Sequence, residues 1–130
     1  MKAAVFLAAI LFSSATLAAP ILVDCSGGDW RMTEGKTLAH TIQVMFDPES
    51  RTVEVRDRLL SNLTPEHVEI TEMQVTASNP GANPRFNLVV NRNDASFVYE
   101  RYENNIRISN MGGICKVVPG TRVPATLQRF

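Results

Sequence analysis

The sequence predicts an all-β domain, a small antiparallel barrel or half-barrel meander of seven or eight strands with one disulfide. Three observations lead to this fold class. Short segments of alternating apolar and polar residues recur between turn-forming residues, no segment after the first 18 residues has a long helical period, and the two cysteines lie far apart in the chain. Short strands joined by turns are typical of β-sandwiches and small barrels, and a meander keeps strands that are neighbours in sequence adjacent in space.

The amino-terminal segment has the three regions of a secretory signal peptide. Lys2 precedes an apolar run, AAVFLAAILF, which ends in the small-residue stretch SSATLAA. The run is about half of the roughly 20 residues that a membrane-spanning helix needs. We expect cleavage after Ala18, since Thr16 and Ala18 then occupy the two small-residue positions before the cut. The sequence therefore predicts a signal peptide at 1–18, a single β domain at 19–130, a periplasmic or secreted location and no transmembrane segment after cleavage.

The charges of the mature domain are balanced. Once Lys2 is removed with the signal peptide, 12 basic side chains remain against 13 acidic ones, and both signs are interspersed along the chain. A protein that binds nucleic acids or anionic membranes through its charge needs a basic patch, and the sequence has none. We therefore expect no nucleic-acid partner.

Two cysteines in an exported chain predict a disulfide, because the compartment outside the cytoplasm is oxidising. Cys25 and Cys115 lie 90 positions apart, so a bond between them would fasten the first strand to the last or nearly last one. The alternatives are a reactive thiol and a metal-binding pair. Redox enzymes usually space their cysteines closely, and no histidine stands at ligand spacing from either thiol. We expect a structural bridge, no metal and no cofactor.

The first half of the mature chain contains a short strand, a turn and a hairpin. ILVDC predicts a strand, and the double glycine in Ser26–Trp30 predicts a turn after it. Residues 38–46 and 51–56 alternate on either side of Asp47–Ser50, which is typical of a β-hairpin. Asp57–His67 breaks the alternation, and we expect one helical turn or a lid-like loop there.

The second half continues the same pattern. Val68–Ala77 predicts one strand, with a β-bulge near Thr71 where the apolar positions change parity. NPGANP predicts a loop at Asn79–Pro84. Three further strands follow, separated by turns at Asn93–Asp94 and Asn104–Asn105, and the last strand includes a flexible pair of glycines. These strand segments begin at Phe86, Ala95 and Ile106.

The sequence contains no recognisable catalytic motif. Phosphate-binding loops, nucleophile elbows and zinc-protease motifs are all missing, and carboxylate pairs such as Asp24 with Asp29 occur by chance in a chain with 13 acids. His40 falls on the apolar face of its predicted strand. It is either a pH-sensitive group or a residue near the strand's end whose polar edge is hydrogen-bonded, and we favour the second interpretation. We expect that the protein is not an enzyme.

One group of residues resembles a known class of proteins. The pattern NRxxAxFxYE, which begins at Asn91, is followed by GxCK at Gly113–Lys116. This combination is similar to that of small exported proteobacterial β-domain proteins of unknown function. The resemblance implies a periplasmic β-domain and assigns no activity.

Five residues form the candidate binding surface, because tyrosine, tryptophan and arginine are the residues that interfaces favour. The structural alternative assigns the same residues to the hairpins, with the arginine bonding turn carbonyls, the tyrosines making cross-strand pairs and the tryptophan covering the end of the core. The five are Trp30, Arg92, Tyr99, Arg101 and Tyr102.

The sequence therefore predicts a non-catalytic periplasmic or secreted binding protein that engages another envelope or extracellular protein. One example of this class is an inhibitor of a cell-wall hydrolase. Periplasmic lysozyme inhibitors are also small disulfide-bonded β-barrels, but their SGxRY-like and tryptophan-lysine-glycine signatures are missing from this sequence, so the similarity is one of architecture alone. The alternatives are a carrier of a small apolar ligand and a structural envelope protein without its own ligand. A large internal cavity would favour the carrier, whereas a filled core with exposed aromatic residues would favour protein binding.

Overall fold

A computed structural model describes residues 20–60 and 63–118 of the chain, which form eight antiparallel strands and no helix. The predicted signal peptide and its cleavage site lie outside the described residues. The strands are β1 (Ile21–Arg31), β2 (Lys36–Asp47), β3 (Thr52–Arg56), β4 (His67–Ile70), β5 (Gln74–Ser78), β6 (Arg85–Asn91), β7 (Ser96–Glu103) and β8 (Ile106–Val117).

The strands form one sheet that curls into a nearly closed barrel. Their order is β3-β2-β1-β8-β7-β6-β5-β4, so every pair of consecutive strands is hydrogen-bonded except β3 and β4. The first and last strands, β1 and β8, pair along nine register positions in the middle of the sheet. The short strands β3 and β4 are the two edges. The predicted all-β meander and its upper strand count are confirmed.

Alternation within each strand fills the interior of the barrel. Most of the alternate side chains on one face of β1, β2, β6 and β7 are buried, as expected for strands with one face toward a core. The largest fully buried side chains include aromatic residues from three strands, and Phe86 lies 6.2 Å from Tyr99 between ring centroids. The inner residues therefore pack against one another. The aromatic residues in this set are Phe46, Phe86 and Tyr99.

The predicted disulfide joins β1 to β8. Cys25 and Cys115 are directly opposite each other in the register of the two strands, and both are buried. The bond therefore fastens the first described strand to the last one, as the sequence predicts.

The turn predicted at Ser26–Trp30 is wrong, because these residues continue β1. Gly27 lies opposite Gly113 in β8, and a β-carbon at Gly27 would overlap the carbonyl oxygen of Gly112. The glycines are therefore needed for a close approach of two strands and not for a change of direction. The turn comes later, at residues 32–35, where Gly35 has a φ of 64°.

The single strand predicted over Val68–Ala77 is also wrong. The apolar positions change parity because the chain makes a tight turn between β4 and β5, and not because of a bulge within one strand. The Thr71 hydroxyl oxygen accepts hydrogen bonds from the backbone amides of Met73, at 3.1 Å, and Gln74, at 3.0 Å. A threonine that bonds to the backbone in this way stabilises a turn.

Three other predicted turns are confirmed. Asp47 accepts a hydrogen bond from the Glu49 amide at 2.9 Å, two residues farther along. Residues 92–94 form the turn between β6 and β7. Asn104 and Asn105 have φ angles of 52° and 65° and join β7 to β8 as a two-residue loop, the geometry that favours asparagine in hairpins.

The barrel has two ends with different connections. The upper end carries the β1–β2 turn, the β3–β4 and β5–β6 loops and the β7–β8 turn, while the lower end carries the remaining turns. Arg92 covers the lower end, where its Nη1 donates to the carbonyl of Thr71 at 2.7 Å and its guanidinium lies 5.4 Å from the ring centre of Phe46. The upper end holds most of the buried polar side chains.

Replacing Gly27 by alanine tests the close approach of β1 and β8. Gly27→Ala should lower the free energy of unfolding by about 3 kcal/mol, since the new methyl group overlaps backbone atoms that cannot move aside. Gly112→Ala is the matched control: its β-carbon would lie 3.5 Å from the Phe97 carbonyl oxygen, an ordinary contact. The control should change stability by less than about 1 kcal/mol. Urea unfolding of the oxidised proteins measures both, and equal losses would contradict the account.

Candidate functional site

Six polar side chains meet inside the upper end of the barrel, and we call them the polar cluster. Most of them occupy inward positions near the upper ends of their strands. The inward positions lower in the same strands hold mainly apolar residues. One comes from the residue directly after β3, which forms an isolated bridge with Leu60. All six are buried. The polar cluster consists of Asp29, His40, Asp57, Tyr99, Arg101 and Ser109.

Asp57 is the acceptor for four donors. Its Oδ1 lies 2.9 Å from Nε2 of His40 and 2.9 Å from the backbone amide of Leu59. Its Oδ2 accepts from the Tyr99 hydroxyl at 2.8 Å and from Nη1 of Arg101 at 3.4 Å. An ionised carboxylate only accepts hydrogen bonds, so His40 carries its proton on Nε2 in this arrangement. One carboxylate thus joins the start of the β3–β4 loop to β2 and β7.

Asp29 holds the opposite side of the same guanidinium. Arg101 Nη2 donates to Asp29 Oδ2 at 2.6 Å and to the Ser109 hydroxyl oxygen at 2.7 Å, and Ser109 in turn donates to Asp29. Arg31 Nε adds a further bond to Asp29 at 3.1 Å. Arg101 therefore bridges the two buried carboxylates, and β1, β7 and β8 are joined through it.

The charges of this arrangement compensate one another. Two fully buried carboxylates face the two guanidinium groups of Arg31 and Arg101, and an unpaired charge at this depth would be strongly destabilising. The hydrogen bond to Asp29 raises the pKa of Arg31 above its ordinary value. Burial, reinforced by the nearby charge of Asp57, raises the pKa of Tyr99. Tyr99 therefore remains a protonated donor.

One atom of the polar cluster has no partner. The buried Nε of Arg101 is the sole buried side-chain nitrogen or oxygen, within the described part of the chain, that makes no hydrogen bond. The two terminal nitrogens of the same guanidinium are both engaged. A buried donor without an acceptor is unfavourable, and native proteins contain few of them. Such an atom in a native protein needs an explanation.

A cleft with a volume of about 450 Å³ lies over the polar cluster, and we call it the mouth cleft. Arg101 and Ser109 belong to its lining, together with residues of the β1–β2 turn, the β3–β4 loop and the β7–β8 hairpin. Three large apolar side chains in this lining are strongly exposed. Their exposed fractions are 42% for Met32, 47% for Leu59 and 56% for Ile106.

The five residues of the predicted binding surface occupy different places. Tyr99 and Arg101 belong to the polar cluster, whereas Arg92 is buried at the lower end. Trp30, 37% exposed, is on the outer face of β1, and Tyr102 is half-buried beneath the guanidinium of Arg85, 3.9 Å from its ring centre. The structure brings together two of the five, and the group does not form one continuous exposed surface.

Part of the polar cluster is predictable from the sequence. The interpretation of His40 as a residue with a hydrogen-bonded polar edge is confirmed. In the sequence, Asp29 stands out only as a member of a chance carboxylate pair, and no motif marks Asp57 or Ser109 as a functional residue. The alternation of inward and outward positions could have identified two members of the polar cluster, because Asp29 and Ser109 stand at inward positions of otherwise apolar strand faces.

No group of three or more histidine, cysteine, aspartate or glutamate side chains suited to a metal ion occurs among residues 20–60 and 63–118. Over the same residues, no helix is long and apolar enough to cross a membrane. Comparisons with protein-family models, with curated proteins and with solved structures found no match for this chain.

Removing the guanidinium of Arg101 tests its bridging role. Arg101→Met should lower the free energy of unfolding by about 3 to 5 kcal/mol, because two carboxylates stay buried without the charge between them. The control is Arg107→Met, which removes an exposed ion pair with Glu100 and should cost less than about 1 kcal/mol. Denaturant unfolding of both variants gives the comparison. A small loss for Arg101→Met would show that the buried charges are compensated in another way.

Proposed function

We propose that this chain is a non-catalytic binding protein of the periplasm or the cell exterior, and that it engages another protein through the mouth cleft. The observation that carries the proposal is the exposure of Met32, Leu59 and Ile106 at the rim of one cleft. Met32 belongs to the β1–β2 turn, Leu59 to the β3–β4 loop and Ile106 to the start of β8. Apolar side chains grouped around a concave surface are typical of interaction sites.

The filled interior argues for a partner at the surface and against a ligand within the barrel. Tyr99, Phe46 and Phe86 occupy the space that a carrier would leave for its cargo. The mouth cleft lies at the end of the barrel, and its apolar rim faces outward. A protein partner can cover such a rim, whereas a carrier encloses most of the surface of its ligand.

A small ligand in the mouth cleft is the second candidate. The volume of about 450 Å³ falls within the range of roughly 300 to 1,000 Å³ that is usual for small-molecule sites. The experiment described below separates the two, because a protein and a small molecule give adducts of very different mass.

The disulfide supports the proposed location. Cys25 and Cys115 are joined, and bonds of this kind persist in the periplasm and outside the cell, where the compartment is oxidising. A partner would then be another envelope or extracellular protein.

Site-specific photocrosslinking in the organism that makes the protein tests the proposal. A photoreactive phenylalanine derivative is placed at Ile106, at the rim, and in a second strain at Ile114. The two residues belong to the same strand and are 56% and 48% exposed, but Ile114 is on the outer wall of the barrel. We expect a discrete protein adduct from position 106 and none from position 114.

Binding of the purified partner then provides the quantitative test. Ile106→Asp should weaken the affinity by at least about tenfold, as expected for a central apolar contact, while Ile114→Asp should change it by less than about twofold. Equal adducts at the two positions, or equal losses of affinity, would contradict binding through the mouth cleft. An adduct only a few hundred daltons heavier than the protein would replace the protein partner with a small ligand.

A further inference from the structure

We infer that the mouth cleft binds an uncharged peptide segment that presents an amide carbonyl oxygen beside an apolar side chain, and that Arg101 Nε donates to this oxygen. The inference rests on the proposed function, since it names the chemistry by which a protein partner would be recognised. Three features of the upper end carry it: the donor, the charge around it and the apolar rim.

The donor is the guanidinium of Arg101. Asp57 holds its Nη1 at 3.4 Å, and Asp29 and Ser109 hold its Nη2 at 2.6 and 2.7 Å, so the side chain is fixed in place. Its Nε is buried without an acceptor, although the residue lines the mouth cleft. An oxygen brought to this atom would remove an unfavourable feature of the free protein. The side chains that cover Nε must move to admit the oxygen, whereas the guanidinium is already held by Asp29, Asp57 and Ser109 and need not reorient.

The surrounding charge favours a neutral acceptor. Among the residues that line the mouth cleft or belong to the polar cluster, the carboxylates of Asp29, Asp57, Glu34 and Glu103 outnumber the guanidinium groups of Arg31 and Arg101 by four to two. A carboxylate or phosphate ligand would therefore meet a net negative surrounding. A cation would not supply an acceptor for Nε. An amide carbonyl oxygen accepts a strong hydrogen bond and carries no net charge.

The apolar part of the ligand is indicated by the rim. Met32, Leu59 and Ile106 are exposed there, and Leu60 and Ile108 extend the apolar lining inward. An aliphatic side chain next to the carbonyl would cover these groups and remove water from the hydrogen bond. A leucine residue within a peptide has both parts, since its side chain is aliphatic and its carbonyl is neutral.

Nuclear magnetic resonance tests the inference without a known partner. The probe is N-acetyl-leucinamide, added to the oxidised ¹⁵N-labelled protein, and the readout is the Nε–Hε resonance of Arg101. We expect this resonance to move to lower field and to saturate. N-acetyl-glycinamide, which lacks the side chain, should bind at least about tenfold more weakly, because the apolar contact is lost. N-acetyl-leucine, a carboxylate at neutral pH, should also bind more weakly than the amide.

A pair of variants shows where the probe binds. Ile106→Ser should weaken binding of N-acetyl-leucinamide several-fold, whereas Ile114→Ser should leave it unchanged, because Ile114 lies away from the mouth cleft. An Arg101 Nε–Hε resonance that stays fixed while backbone amides of the rim shift would overturn the inference. Tightest binding by the carboxylate would overturn it as well.

The two proposals fail in distinguishable ways. If position 106 gives a protein adduct but the Arg101 resonance does not move, the protein partner is supported and the recognition of a carbonyl oxygen by Arg101 is contradicted. If the Arg101 resonance shifts and saturates but position 106 gives no adduct, the carbonyl site is supported and the proposal of a protein partner is contradicted.

Discussion

The burial of two carboxylates beside one guanidinium is the interaction on which the upper end of this barrel depends. Asp29 and Asp57 come from different parts of the chain, and Arg101 holds both of them. Because a buried charge without a partner is costly, the residue after β3 and the upper ends of β1, β7 and β8 are constrained to one arrangement. The hydrogen bonds of Asp57 to His40 and to the Leu59 amide add β2 and the start of the β3–β4 loop. The mouth cleft thus has a rigid polar floor.

The pairing of β1 with β8 makes this arrangement possible. The disulfide fixes the register of the two strands in the lower half of the barrel, and the glycines opposite each other let the backbones approach closely above it. Asp29 and Ser109 then face the same interior from neighbouring strands. The apolar residues of the rim come from the β1–β2 turn, the β3–β4 loop and the start of β8. The pairing of β1 with β8, which stabilises the barrel, therefore also helps to place the Arg101 guanidinium beneath the apolar rim. The binding proposal follows from this combination of a hydrogen-bond donor and apolar side chains.

Strand alternation and turn chemistry were enough to predict the class of fold and most of the turns, and two cysteines in a chain with a predicted signal peptide were enough to predict the disulfide. The wrong turn at the double glycine and the missed part of the polar cluster have a common physical origin, because both concern contacts between distant parts of the chain. The β4–β5 turn is a different case, since a local change of parity fits a bulge as well as a tight turn. Gly27 and Gly28 resemble a turn when considered locally, and their partners Gly113 and Gly112 lie far away in sequence. Asp57 follows the last regular residue of β3, and its bonds to Tyr99 and Arg101 cross 42 and 44 positions. No local pattern indicates such a bond, whereas His40 was recognisable from its own strand.

The measurement that tests this account most directly is hydrogen exchange in the native state, compared between the natural protein and an Asp57→Ala variant. The account predicts at least about tenfold faster exchange at the amides of Leu59 and Leu60, since their bonds to Asp57 are lost or loosened. The amides of Arg92 and Cys115, which bond to Met73 and Ala95 at the lower end, should keep their protection. Uniform acceleration along the barrel, or unchanged exchange at Leu59, would contradict the claim that the buried carboxylates hold the mouth cleft in its shape.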